Sequence, residues 1–232
     1  MWLGGALFVA ALVFCAYTFA VTWGDAVGFE YSISLPSHSV LFGRWGTIAL
    51  DALLLSVFAM HHSLFARERV KRAMTRLVPE PLVRSVYVWV ASVLLILVCW
   101  WWRPIGGEVY DFTGLIASPF FAIQAIGLWM TVRGVARIDP LELAGIHPAR
   151  ESGGLQVNGP YRWVRHPLYL GWLLMVFGAA HMTGDRLAFA AITSLYLVVA
   201  IPWEERSLRR SFGDDYTRYM RDVRWRMIPF IY

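Results

Sequence analysis

The chain has 232 residues, of which 58% are hydrophobic and only 16% charged. An average soluble domain carries roughly 25% charge, so this composition excludes an ordinary water-soluble enzyme, a disordered chain and a secreted disulfide scaffold. The net charge of +5 decides nothing until the basic residues are placed along the chain.

A helix needs roughly 20 apolar residues to cross a hydrocarbon core about 30 Å thick. Six stretches approach that length. Residues 2–23 hold no charge. They lack a basic leading segment and are too long for a cleaved signal, so a retained helix is expected. Residues 45–65 carry only Asp51, and residues 85–102 and 112–132 carry no charge. Residues 167–183 and 187–203 are shorter and read as a tight helical hairpin around Gly184-Asp185. Either both cross, giving six spans, or they form a re-entrant pair beside four spans. The expected fold class is all-α: a polytopic membrane helical bundle of about six transmembrane helices, with a C-terminal helical hairpin and an amphipathic cytoplasmic helix. It is one integrated membrane domain. Residues 1–134 carry four helices and a basic loop, and residues 135–232 are richer in polar and turn-forming residues.

The basic residues set the orientation. Arg67, Arg69, Lys71, Arg72, Arg76 and Arg84 follow the second stretch. Arg133, Arg137, Arg150, Arg162 and Arg165 follow the fourth, and Arg206, Arg209, Arg210, Arg218, Arg221, Arg224 and Arg226 follow Trp203. Only Arg44, Arg103 and Arg186 fall on the other side. This bias places both termini and the basic loops in the cytoplasm. A nucleic-acid binder would gather its cations on a soluble face, so no nucleic-acid partner is expected. Trp23, Trp45, Trp100, Trp101, Trp102 and Trp203 lie near span ends and read as interface anchors.

No metal site is expected. Cys15 and Cys99 fall in apolar stretches without a CxxC spacing and read as small buried side chains. His61 and His62 are neighbours about 100° apart on a helix, a poor pair of ligands. His62 could accept a proton if it faces a pocket; otherwise it is an interhelical histidine. His147 and His181 read as loop and interface residues. Asp51 is expected to pair with Ser56 or a facing hydroxyl, and Ser118 and Gln124 to make interhelical contacts.

Polar residues concentrate late in the chain. Gly153 to Arg162 reads as a loop by its Gly, Asn and Pro content. Pro167 can open the next helix, where its missing N–H costs nothing. Arg165 and His166 then stand before a helix start whose bare N–H groups favour an anion. Tyr169 follows His166 by one helical turn. Glu204 and Glu205 end the last apolar stretch, at a depth where ionisable groups by default suggest function. They suit a cationic ligand or ribose hydroxyls; the alternative is pairing with Arg162, Arg206 or Arg209. Leu208, Phe212, Tyr216 and Tyr219 then recur on one face of an amphipathic helix suited to a membrane surface.

Gly159-Pro160-Tyr161-Arg162-Trp163-Val164-Arg165-His166-Pro167-Leu168-Tyr169-Leu170-Gly171 resembles the integral membrane methyltransferases of the isoprenylcysteine carboxyl methyltransferase type. Glu204-Glu205-Arg206-Ser207-Leu208, Phe212-Gly213-Asp214-Asp215-Tyr216 and Tyr219 continue the resemblance in the same order. It implies an S-adenosylmethionine cofactor held by Tyr161, Arg165, His166, Tyr169, Gly171, Glu204 and Glu205. Earlier, His61-His62-Ser63-Leu64-Phe65-Ala66-Arg67, Arg84-Ser85-Val86-Tyr87-Val88 and Trp100-Trp101-Trp102-Arg103-Pro104 resemble the bacterial methanethiol S-methyltransferase and NnrU-like branch. That implies a small or lipophilic thiol as acceptor. A phospholipid amine or a prenylcysteine carboxylate is the alternative within the family. A thiol must first become a thiolate. The candidate catalytic residues are therefore His62, as a base, and Arg165, as a fixed cation orienting an anionic acceptor. A reading of another class takes His61, His62, His166 and His181 as ligands in a haem- or quinone-binding membrane protein.

Overall fold

The computed structural model describes residues 2–24, 39–65, 68–135, 146 and 154–232. Expectations that rest on Arg67, Arg137, His147, Arg150 and Gly153 lie outside the described residues. The helices in chain order are α1 (Trp2–Ala20), α2 (Ser39–Phe65), α3 (Glu68–Met74), α4 (Glu80–Trp101), α5 (Ser118–Val135), α6 (Pro167–Phe177) and α7 (Gly184–Asp222). Strands β1 (Glu108–Asp111) and β2 (His181–Thr183) pair as a two-stranded sheet. Among the described residues, five helices are long and apolar enough to cross a membrane. The molecule is an all-α polytopic bundle, as the sequence predicts.

The exception among the six stretches is α6. It has 11 residues, about 16 Å at 1.5 Å per residue, or roughly half a hydrocarbon core. It ends before Gly178, and β2 occupies the residues expected to continue it. The bend between α6 and α7 is thus extended chain and not a tight turn at Gly184-Asp185. Nor does α7 stop at Trp203. It runs 39 residues through Pro202 and bends at Gly213, whose φ of 54° favours glycine.

The described residues within Met1–Val109, Asp139–Arg150 and Met182–Ile192 form one compact unit. Here α1 and α2 both pack on α4. Helix α4 starts at Glu80, whose charge suits the helix N-terminus, with proline in the first turn where no hydrogen bond is lost. It ends before Arg103-Pro104, because proline drives the preceding residue out of the helical region.

The turn after α4 is held by two buried carboxylates. Asp185 accepts hydrogen bonds from the Trp102 indole and the Ile105 and Gly106 amides, at 2.9, 2.9 and 3.0 Å. Asp51 accepts the Arg103 amide at 2.9 Å. Its partner is therefore backbone, and Ser56 instead bonds the Ala52 carbonyl. Arg186 donates to the carbonyls of Phe19 and Ala20, which α1 leaves unpaired at its end. Trp23 and Trp102 are buried, 4.6 Å apart between ring centres, and pack on Phe189. Those two are core residues and not interface anchors. Trp45, Trp100, Trp101 and Trp203 are exposed, as an anchoring role requires.

The second unit comprises the described residues within Tyr110–Ile138, Glu151–His181 and Thr193–Tyr232. Its centre is the contact of α5 with α6. A Cβ on Gly127 would lie 2.6 Å from the Gly171 carbonyl, and one on Gly171 would lie 2.6 Å from Thr131 Oγ1. Glycine at both positions lets the backbones touch. Gln124 donates across this contact to the Met175 carbonyl at 3.0 Å. Ser118 instead turns back on Leu115 within its own segment.

Candidate functional site

The start of α6, the middle of α7 and the segment after α7 build one polar centre in the second unit. Its hub is Glu205, which is 0% exposed. Oε1 accepts Arg165 Nε at 2.7 Å and faces His166 Nε2 at 3.4 Å. Oε2 accepts Arg226 Nε at 3.2 Å. A buried carboxylate is tolerable only when so paired and hydrogen-bonded. Arg165 also donates through Nη1 to the carbonyls of Val223 and Arg224, both at 2.8 Å. Two backbone bonds reinforce this tie: Arg165 N–H to Trp225 O at 2.9 Å, and His166 N–H to Arg226 O at 2.7 Å.

Glu204 is different. Its side chain is 42% exposed. It accepts the Tyr169 hydroxyl at 2.7 Å and lies 3.5 Å from His166 Nδ1. The His166 and Tyr169 rings stack at 5.4 Å. The imidazole therefore stands between two carboxylates, an arrangement that only the imidazolium satisfies with both nitrogens as donors. Burial alone would lower the His166 pKa. The hydrogen bonds and charges of Glu204 and Glu205 outweigh it and hold the pKa above its ordinary value.

Tyr161 extends the centre towards α5. It lies in a single helical turn, Gly159–Arg162, entered through Pro160. Its hydroxyl reaches the Gly134 carbonyl at 3.4 Å, and its own carbonyl accepts the Tyr219 hydroxyl at 2.7 Å. Burial, aided by the Glu204 charge, raises its pKa and keeps it a neutral donor.

Of the residues picked from sequence, Tyr161, Arg165, His166, Tyr169, Glu204 and Glu205 come together here. Gly171 lies one turn further along α6, at the α5 contact. His62 belongs to the first unit, where Nδ1 is 2.7 Å from the Tyr87 hydroxyl. His61 stacks on Tyr87 beside it. The carboxylate pair binds none of Arg162, Arg206 and Arg209; its cations are Arg165, His166 and Arg226. The α6 start is not rich in bare donors either, since the Tyr169 and Leu170 amides both bond the His166 carbonyl. The apolar face of late α7 is covered by Leu155 and Tyr161, so it packs on protein. Sequence reasoning missed Arg226, whose guanidinium also covers the Tyr232 ring at 5.2 Å. Its signal was a cation set between apolar Trp225 and Met227.

The comparisons with known proteins now bear on this centre. Methanethiol S-methyltransferase of Crocosphaera subtropica is 36% identical over 94% of this chain and 90% of its own length. The chain belongs to the methanethiol S-methyltransferase family. The enzyme of that name from Mycobacterium tuberculosis is 35% identical over 88% of the chain and 89% of its own length. Protein-S-isoprenylcysteine O-methyltransferase A of Arabidopsis thaliana is 34% identical over a shorter region, 35% of the chain and 42% of its own length. Residues 121–215 match the family described as phospholipid methyltransferase, a region that holds Tyr161 to Glu205. No solved structure matches the chain. The chain is a membrane methyltransferase of this family, which sets aside the haem or quinone reading.

Proposed function

We propose that this protein methylates a small or lipophilic thiol with S-adenosylmethionine, at the cytoplasmic face of a bacterial inner membrane. The carrying observation is the division of labour in the carboxylate pair. Glu205 is buried and fully committed to Arg165, His166 and Arg226, while Glu204 is half-exposed with Tyr169 and His166 behind it. The names of the relatives support the thiol. The bias of basic residues supports the orientation.

The residues fit the cofactor. Glu204 offers a carboxylate to ribose hydroxyls or an ammonium group. Arg165 spends Nε and Nη1 on protein partners, leaving Nη2 as its uncommitted donor for a carboxylate or an anionic acceptor. Tyr161 and Tyr169 supply aromatic walls, and Gly171 fixes the close approach that holds α6 in place. S-Adenosylmethionine supplies an activated methyl group on a sulfonium. The protein then has to align the acceptor and exclude water. His62 can act as a base only in the tautomer whose Nδ1–H donates to Tyr87, since only then is Nε2 an acceptor.

The match of residues 121–215 to the phospholipid methyltransferase description favours a lipid amine as the second reading. Purified protein in lipid nanodiscs, given labelled cofactor with thiols, phospholipids and prenylcysteines, separates the two. Methylation of thiols is expected, with kcat/KM lowered about tenfold or more in Glu204→Gln, the scale of one charge-assisted hydrogen bond. Methylation of the lipid amine alone would overturn the thiol. Failure to bind the cofactor in both detergent and lipid would sink the whole reading.

A further inference from the structure

Tyr216, in the second unit, carries a hydroxyl that its own surroundings do not explain. Tyr216 is 1% exposed, and its hydroxyl has no hydrogen-bond partner among the described residues. Its neighbour Tyr219, 5.8 Å away between ring centres, shows the ordinary arrangement: it is buried, and its hydroxyl bonds Tyr161 O. Tyr216 lies within electrostatic reach of Glu205, Arg165 and Glu204. Yet both Glu205 oxygens are already occupied by Arg165, His166 and Arg226. The phenol is thus beside the polar centre without being one of its internal links.

Buried hydroxyls in folded proteins nearly always have a partner. Leaving one unpaired is worse than having phenylalanine at the same place, because the group has lost water and gained nothing. The hydroxyl makes sense if its partner arrives with a ligand.

We propose that Tyr216 Oη is a binding group for the nucleoside half of the methyl donor, the ribose hydroxyls or a ring nitrogen. This rests on the cofactor reading above. Arg165 Nη2 is the donor that suits a ligand carboxylate, which leaves the neutral phenol to the nucleoside half. A ribose hydroxyl is neutral; it can accept from the phenol and donate to a carboxylate at once.

The test uses full-length protein in nanodiscs as wild type, Tyr216→Phe and Tyr219→Phe. Each is titrated calorimetrically with S-adenosylhomocysteine and with 5′-methylthioadenosine, which keeps the nucleoside and lacks the amino acid. Unfolding temperatures are measured without ligand. Tyr216→Phe is expected to bind both compounds about tenfold more weakly, the worth of one buried hydrogen bond, with an unfolding temperature equal to or above wild type. Tyr219→Phe is expected to lower the unfolding temperature, because it strips Tyr161 O of its donor. Unchanged affinity in Tyr216→Phe would overturn the proposal and leave the hydroxyl to an ordered water. So would a loss confined to S-adenosylhomocysteine, which puts the hydroxyl at the amino-acid half. A Tyr216→Phe protein that unfolds early or fails to fold would make the hydroxyl structural. If the wild type binds neither compound, the cofactor reading itself falls and this assignment falls with it.

Discussion

Glu204 and Glu205 are adjacent, yet they face different physics. Removing Glu205 leaves Arg165 buried without its counter-charge. Glu205→Ala should therefore cost about 3–5 kcal/mol, seen as a large fall in unfolding temperature in detergent. Glu204→Gln keeps the Tyr169 hydrogen bond to an amide oxygen and loses only the charge facing His166 Nδ1, so it should lower that temperature much less than Glu205→Ala does. His166 adds a pH dependence. Its folded pKa is raised, because Glu204 and Glu205 outweigh burial. The stabilisation from the imidazolium is then complete below the ordinary histidine pKa of about 6.5 and fades as pH climbs through the higher folded value. Unfolding temperatures measured from pH 6 to 9 should fall across that window, and His166→Gln should flatten the curve. An unchanged slope in His166→Gln would assign the titration to another group.

At the scale of elements, the helices were legible because uninterrupted apolar runs permit little else in a bilayer. Their ends were less so. Pro202 and two glutamates look like a helix terminus, but α7 continues past them: Arg165 and Arg226 pair with Glu205, and Tyr169 donates to Glu204, from 21 to 40 residues away. The pairing of Asp185 with Trp102, Ile105 and Gly106 spans 79 to 83 residues and was equally invisible. Much of the site could be read, since Arg165, His166 and Tyr169 lie within one turn of a helix start. Arg226 and Tyr216 could not, as their roles depend on packing. The closest helix contact makes its own prediction. Gly171→Leu would drive a side chain into Thr131 and the Gly127 carbonyl. Overpacking of that kind costs about 1–3 kcal/mol or more. It should shift α6 and with it His166, lowering both the unfolding temperature and cofactor affinity. A variant with full affinity would show that α6 does not set the site.

For the whole molecule, composition announced a membrane protein, and charge placement supports the proposed orientation. That orientation is open to labelling. With Cys15 and Cys99 replaced by alanine, a cysteine at Arg209 should react with a membrane-impermeant maleimide only in inside-out vesicles. One at Val109 should react only in right-side-out vesicles. The opposite pattern would move the polar centre to the other face of the membrane.

Arg165 meets Glu205 after a gap of 40 residues, and the Val223 and Arg224 carbonyls after 58 and 59. A ribosome therefore makes the cation long before anything that can hold it. A nascent chain halted ahead of Val223 would already contain every apolar helix, and nothing in their hydrophobicity would betray the missing piece. The polar centre would differ: Arg165 would be short of its carbonyl acceptors, and Glu205 and His166 of Arg226. The polar centre thus doubles as a record of whether translation has passed that point.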